Sequence, residues 1–307
     1  MFVVKYRKIF YSFTALLVAF SIFSVSYWGL NLGIDFKGGA IAEVEYQNRP
    51  AKSDVEASIK TLNFGEFSVR PTGDNAFIIR TRDLTNIERQ QFITSIGVGS
   101  ATTTASSTIS GATLKRFDSV GPVLGQELAQ KSTTAIIFVI IAIVLFITFA
   151  FRGVSEPVSS FKYGLVAVVA LVHDVIVPTG IYAFLGRNGG FEVDALFVTA
   201  ILVILGFSVH DTIVVFDRTR ENLKHAPAKK PFYEIVGESI SQTFARSINT
   251  SLTTVLALIA LFVFGPEATR NFSLVMMIGI IVGTYSSIFL GSPLLVTIQK
   301  MKEKKGK

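Results

Sequence analysis

Residues 195–216 read ALFVTAILVILGFSVHDTIVVF. The run is apolar enough, and long enough, to cross the hydrocarbon of a bilayer, which takes about 20 residues. It nevertheless carries Ser208, His210 and Asp211 toward one end. The triplet Val-His-Asp occurs a second time at 172–174, inside another apolar run. The chain has only three histidines, and two of them stand directly before an aspartate where oil is expected. A charged side chain at the centre of a span costs about 2.5–3.5 kcal/mol on insertion scales, so it turns toward protein or water. The two triplets therefore point into the interior of a bundle of membrane-spanning helices.

Composition agrees. The 307 residues are 50% hydrophobic and only 17% charged, and phenylalanine alone counts 27. A soluble domain carries about 25% charged residues. Cysteine is absent, which excludes disulfides and thiolate metal sites. Six stretches are expected to span: Ile9–Leu30, Thr133–Phe151, Tyr163–Leu185, Ala195–Phe216, Ile248–Phe264 and Phe272–Val296. The fifth is short for a span and is expected to begin a turn or more earlier, around Ser241–Ala245. The first follows Lys5, Arg7 and Lys8, as a signal peptide would. Its apolar run is too long for one, and no small-residue cleavage site follows, so it is expected to be a retained helix.

Lysine and arginine then set the orientation. The N-terminus, the turn 152–162, the loop 218–246 and the tail QKMKEKKGK hold most of the positive charge beside the spans, whereas Arg187 and Arg270 stand alone on the opposite side. Both termini are expected in the cytoplasm. The net charge of +7 is thus spread over four topological anchors rather than gathered in one patch, which argues against nucleic acid as a partner.

Residues 33–131 have a different texture. AIAEVEY and NAFIIRT alternate apolar and polar residues, as half-buried strands do. KSDVEASIKTL and TNIERQQFITSI suit amphipathic helices, the first with Ser53 or Asp54 and the second with Thr85 or Asn86 as N-cap. TTTASSTISGATLKRFDSV is rich in β-prone Thr and Ser. Strand, helix, strand, strand, helix, strand predicts a small α+β sandwich of the ferredoxin-like kind, on the outer side of the membrane. The expected organisation is a first helix (1–32), an exported α+β domain with linkers (33–131), a five-helix bundle (132–299) and a basic cytoplasmic tail (300–307).

Four motifs converge on one family: GIDFKGG (33–39), VGPVLGQEL (120–128), GFSVHDTIVVFDRTREN (206–222) and RSINTSLTT (246–254). Together they resemble the SecF branch of the SecD/SecF protein-export family, which is related to the resistance-nodulation-division transporters. The resemblance covers essentially the whole chain. It implies a subunit of the bacterial or archaeal cytoplasmic (inner) membrane that works with a SecD-like partner and a SecYEG-type channel on unfolded exported polypeptide. It also implies proton coupling through Asp211, with Arg246 matching the family's functional arginine. Two positions depart from the pattern. His210 stands where Asn is common, which leaves the local proton chemistry open, and Lys37 stands where Thr is common.

The residues make their own demands. Asp211 lies roughly 8 Å inside the cytoplasmic end of its span, with Ser208 one turn away on the same face. A carboxylate there is stable when neutral, or when ionised beside a cation. Arg246 is either that cation or a plain positive-inside anchor. Asn249, Thr250 and Thr253 make the next turns polar enough to bond between helices or line a wet path. Asp174 belongs nearer the middle of its span, at a depth differing from that of Asp211 by roughly 9 Å. It is either a rung of the proton path or a structural hydrogen-bonding group, with His173 as a candidate partner. His173 and His210 suit polar packing or proton transfer. Gly279 and Gly283 form a G-x-x-x-G suited to close helix packing. Glu192 and Asp194 fit an ordinary polar turn, and Asp35 an architectural one.

Other functions fit less well. An aspartyl protease needs two carboxylates that share one proton, and neither aspartate lies in Gly-x-Gly-Asp. H-E-x-x-H and G-x-x-x-x-G-K-[ST] do not occur, so neither a zinc protease nor nucleotide binding is indicated. No cofactor and no metal site is expected, and the chain is not expected to be an enzyme. A small-molecule or lipid exporter half-unit and a passive scaffold of the export channel are the alternatives.

Overall fold

The computed structural model describes residues 2–98, 111–150, 160–189, 191–227 and 229–305. Among the described residues, six helices are long and apolar enough to cross a membrane: Arg7–Trp28, Pro122–Ala150, Phe161–Arg187, Ala195–His225, Phe232–Phe264 and Thr269–Met301. The chain separates into two compact units, one of residues 1–31 and 133–307 and the other of residues 32–132.

In the larger unit a short helix α1 (Phe2–Lys5) precedes α2 (Arg7–Trp28). The remaining helices are α7 (Ser160–Gly189), α8 (Ala195–His225), α9 (Phe232–Phe264), α10 (Glu267–Tyr285) and α11 (Ser292–Lys305), with most of α6 (Pro122–Ala150). The fifth span begins at Phe232, well before Ser241. Its first turns bury Ile235, Val236, Ser239, Ile240 and Thr243, so it continues as an amphipathic helix where hydropathy alone shows no span. α8 likewise runs past Phe216 to His225, with Thr219 buried on its inner face.

Between α10 and α11 the helix widens into a π-helical turn, Ser286–Gly291. The amide of Ser292 bonds the carbonyl of Ser287. Pro293 follows immediately, and with no N–H it cannot serve the carbonyl four residues back. The α10 glycines set how closely α10 and α8 approach. A Cβ on Gly279 would stand 2.1 Å from Ile204 Cδ1, and one on Gly283 would stand 3.1 Å from Ser208 Cβ. The G-x-x-x-G is therefore a packing face inside the bundle.

The smaller unit runs α3 (Ile34–Lys37), β1 (Gly39–Tyr46), α4 (Lys52–Lys60), β2 (Ser68–Thr72), β3 (Ala76–Thr81), α5 (Asn86–Ser95) and β4 (Ala112–Val120), the element order the alternation predicts. The strands form one antiparallel sheet in the order β2-β3-β1-β4. Alternate residues Ala40, Ala42, Val44 and Tyr46 enter a core shared with Val55 and Ile59 of α4 and Phe92 of α5. Thr85 caps α5 in a full capping box with Glu88. α4 departs from expectation. It starts at Lys52 behind Ala51, so Ser53 and Asp54 lie inside its first turn and cap nothing. Pro50 and Ala51 deliver the chain extended into the helix, and Asp54 instead places its charge at the positive end of the helix dipole. The Thr/Ser-rich stretch before β4 lies largely outside the described residues.

The structure joins two of the sequence motifs. Gly38 (φ 78) and Gly39 (φ 131) adopt backbone that side chains avoid. A Cβ on Gly38 would meet Pro122 Cα at 2.8 Å, and one on Gly125 would meet the Gly38 amide at 3.0 Å. GIDFKGG and VGPVLGQEL thus pack backbone against backbone at the start of α6.

Candidate functional site

The polar interior lies where α7, α8, α9 and α10 meet. α7 contributes His173 and Asp174, which are 3% and 0% exposed. Asp174 accepts three hydrogen bonds. His173 Nδ1 pairs with its Oδ1 at 2.8 Å, Ser286 Oγ donates to Oδ2 at 2.8 Å, and Ser208 Oγ also donates to Oδ2. Every donor is itself buried. This is a carboxylate with its acceptor capacity well used, the condition under which burial is tolerated.

Asp211 sits one turn along α8 from Ser208 and is 3% exposed, but its surroundings differ. Its Oδ2 is buried and without a hydrogen-bond partner, and so is the hydroxyl of Ser247 on α9. Ser247 on α9 and Thr284 on α10 bring hydroxyl side chains toward the carboxylate, and His210 and Arg246 stand in its vicinity. Thr284 closes a 2.5 Å bond with Ser251, whose hydroxyl also donates to the Ser247 carbonyl. Next to this group, Thr212 pairs with Ser287 at 2.9 Å, and Ser287 reaches the Ser208 carbonyl at 3.3 Å.

The predicted residues therefore divide. Asp174, Ser208 and Asp211 come together in the interior. His210, Arg246, Asn249, Thr250 and Thr253 are exposed on the outer face of α8 and α9 within this chain. Thr250 and Thr253 spend their hydroxyls on carbonyls of their own helix, those of Arg246 and Thr250. Sequence reasoning missed Ser247, Ser286, Ser287 and Thr284 as members of the cluster. Ser247 and Ser251 carry a legible signal, since their i,i+4 spacing sets both on one helix face. Nothing local marks Ser286 and Ser287, because the widened turn decides which way they point.

Asp174 bonds Ser208, three residues and about 4.5 Å of helix rise from Asp211. Even so, each aspartate keeps its own partners. Among the described residues no group of three or more His, Cys, Asp or Glu could hold a metal ion.

Residues 100–301 match the family described as protein export membrane protein SecD/SecF, C-terminal, and residues 29–48 match the SecD/SecF GG motif. The chain is 38% identical to protein translocase subunit SecF of Anaerolinea thermophila, over 94% of this chain and 91% of that one. It is 39% identical to the same-named subunit of Thermobaculum terrenum, over 96% of this chain and 93% of that one. Among solved structures it is similar to SecDF, a translocon-associated membrane protein from Thermus thermophilus, with a TM-score of 0.80 and 28% identity. That likeness covers 97% of this chain but 38% of the SecDF chain, so this chain spans well under half of that protein. The GG motif coincides with the glycines whose close backbone contacts are described above, and the matched C-terminal region contains all four helices of the polar interior. The chain belongs to the SecD/SecF family of protein export membrane proteins.

Proposed function

We propose that this chain is a membrane subunit of the Sec protein-export machinery that, together with a SecD-like partner, uses the proton-motive force to promote late steps of polypeptide translocation. The observation that carries the reading is Asp211: a buried carboxylate with an unpartnered oxygen, lying under an exposed polar face that holds His210 and Arg246. Lipid tolerates such a face poorly, and a partner's helices would cover it. The similar SecDF chain is more than twice as long as the part matched here, which fits a complementary half supplied by a second subunit. One charge crossing 100 mV supplies about 2.3 kcal/mol, enough to bias a conformational step.

On this reading the chain lies in the cytoplasmic (inner) membrane with both termini inside, as its Lys and Arg distribution favours. The smaller unit is a ferredoxin-like domain on the outer side, where it meets emerging unfolded polypeptide beside a SecYEG-type channel. The test is precursor export in membranes that contain the assembled pair under an imposed proton gradient. Asp211→Asn keeps shape and hydrogen bonding but cannot exchange a proton at working pH. The reading expects normal assembly and loss of the gradient-driven component. Parental export at equal abundance would leave a scaffold role in its place.

A further inference from the structure

The two helices that frame Asp211 are held by one residue that does not touch it. On α8, Asp174 bonds Ser208, which is three residues before Asp211. On α10, Asp174 bonds Ser286, which is two residues beyond Thr284, a group facing Asp211. Ser286 is also the first residue of the π-helical turn. Its single hydroxyl proton is shared between Asp174 Oδ2 at 2.8 Å and the Gly283 carbonyl at 3.0 Å. Without the carboxylate, that hydroxyl would fall back entirely on its own helix, as Ser and Thr do in ordinary helical turns.

The geometry points to Asp174 as a positioning residue for proton coupling: it fixes the register of α8 against the widened turn of α10, and so sets how Thr284 and Ser247 meet Asp211. This rests on the proton-carrier reading of Asp211 and adds to it a residue that acts through two serines. A packing role alone would not need a carboxyl group with three buried hydrogen-bond partners. A burial that costly is retained where geometry must be unique. His173 completes the set from the same helix, and its Nε2 is buried without a partner. The titratable and charged groups around Asp211 are few. They are His210 on its own helix, Arg246 on α9, His173 and Asp174 on α7, and Tyr285 at the end of α10, whose ring lies 6.4 Å from that of His173. The stretch 271–284 of α10 contains no titratable side chain.

Two readouts on the assembled complex test this, one of them independent of export. The first is amide hydrogen exchange over Thr284–Ser292, and the second is the pH profile of gradient-driven export. Asp174→Asn, and the milder Ser286→Ala, leave Asp211 untouched. Both are expected to speed exchange in the turn by at least tenfold. Both are also expected to move the pH midpoint in the same direction, by about one unit for Asp174→Asn, the size of one hydrogen bond to an ionised group lost or gained. Unchanged exchange in both variants overturns the clamp. Faster exchange with a pH profile that superimposes on the parent overturns the positioning role and leaves a structural strut. If Asp174→Asn does not assemble, Ser286→Ala alone decides by the same two criteria. The proton-carrier reading fails separately, through an Asp211→Asn variant that exports normally, and the exchange result stands whatever that outcome.

Discussion

The two Val-His-Asp turns have identical residues and opposite surroundings. At 172–174 both polar side chains face inward, and the histidine pairs with its neighbouring aspartate. At 209–211 the aspartate is buried with its Oδ2 unpartnered, and the histidine lies on the open face. On α7 the side of the helix that carries His173 and Asp174 is covered by α8 and the π-helical turn, whereas on α8 the side that carries His210 is open. The lesson is that a short motif fixes the chemistry available, and neighbouring helices decide whether it is spent on structure or kept in reserve. A carboxylate satisfied by three donors holds helices together. A carboxylate left short of donors can change state.

The largest expected effect breaks this contrast at its reactive end. Asp211→Asn should reduce export under a gradient to the level seen without one, while complex abundance stays parental. Arg246→Met should act in the same direction, because removal of the cation disfavours the ionised carboxylate. Export assays with quantified complex measure both.

Next comes the satisfied end. Asp174→Ala removes the acceptor of the Ser208 hydroxyl and of His173 and leaves Ser286 only its own-helix carbonyl, so the bundle should lose on the order of 1–3 kcal/mol, read as a lower unfolding midpoint in detergent. Asp211→Ala, which removes a group already short of partners, should cost less. Equal losses would erase the distinction between the two turns.

The histidines sharpen the same point. His173→Gln should lower the midpoint, because the buried pair with Asp174 is disturbed. His210→Gln should leave the isolated chain unchanged and alter only its association with a partner. The helix glycines form a parallel pair. Gly283→Ala brings a Cβ to 3.1 Å from Ser208 Cβ and should loosen the contact beside Asp174. Gly206→Ala, on the open face of α8, meets nothing within 4 Å and should stabilise the isolated helix by about 0.5–1 kcal/mol. Thermal scans of the four variants settle both pairs.

The smallest effect comes from a carboxylate in water, which serves as the reference. Glu88 is pulled down to about 2 from an ordinary 4.5, first by the Arg82 guanidinium at 2.5 Å and then by the Thr85 amide and hydroxyl. Its folded value lies below its unfolded one. The stabilisation is therefore complete above about pH 4.5 and is lost as pH falls through about 2. Arg82→Ala should raise the Glu88 midpoint in an NMR titration and leave neutral-pH stability almost unchanged, because an exposed pair contributes little. A large stability loss at neutral pH would mean that the pair is not simply a surface one.

The sequence by itself determined the six spans, the βαββαβ order of the smaller unit, the Thr85 cap and the polar character of the α7–α8 interior. Each of these is set by local physics: apolar length against bilayer thickness, alternation of period two, and the demand of the first helical amides for an acceptor. GIDFKGG announced unusual backbone through its glycines, but its partner at the start of α6 was not legible, since that contact joins residues far apart in the chain. The start of α9 was also hidden, because its first turns mix polar and apolar residues and become buried only against α1, α8, α11 and the π-helical turn. Tertiary structure alone decided that Ser286 and Ser208 meet on Asp174, that Ser247 rather than Asn249 faces Asp211, and that His210 points outward. A helix offers every side chain a direction, but only the helices packed around it determine which directions lead inside.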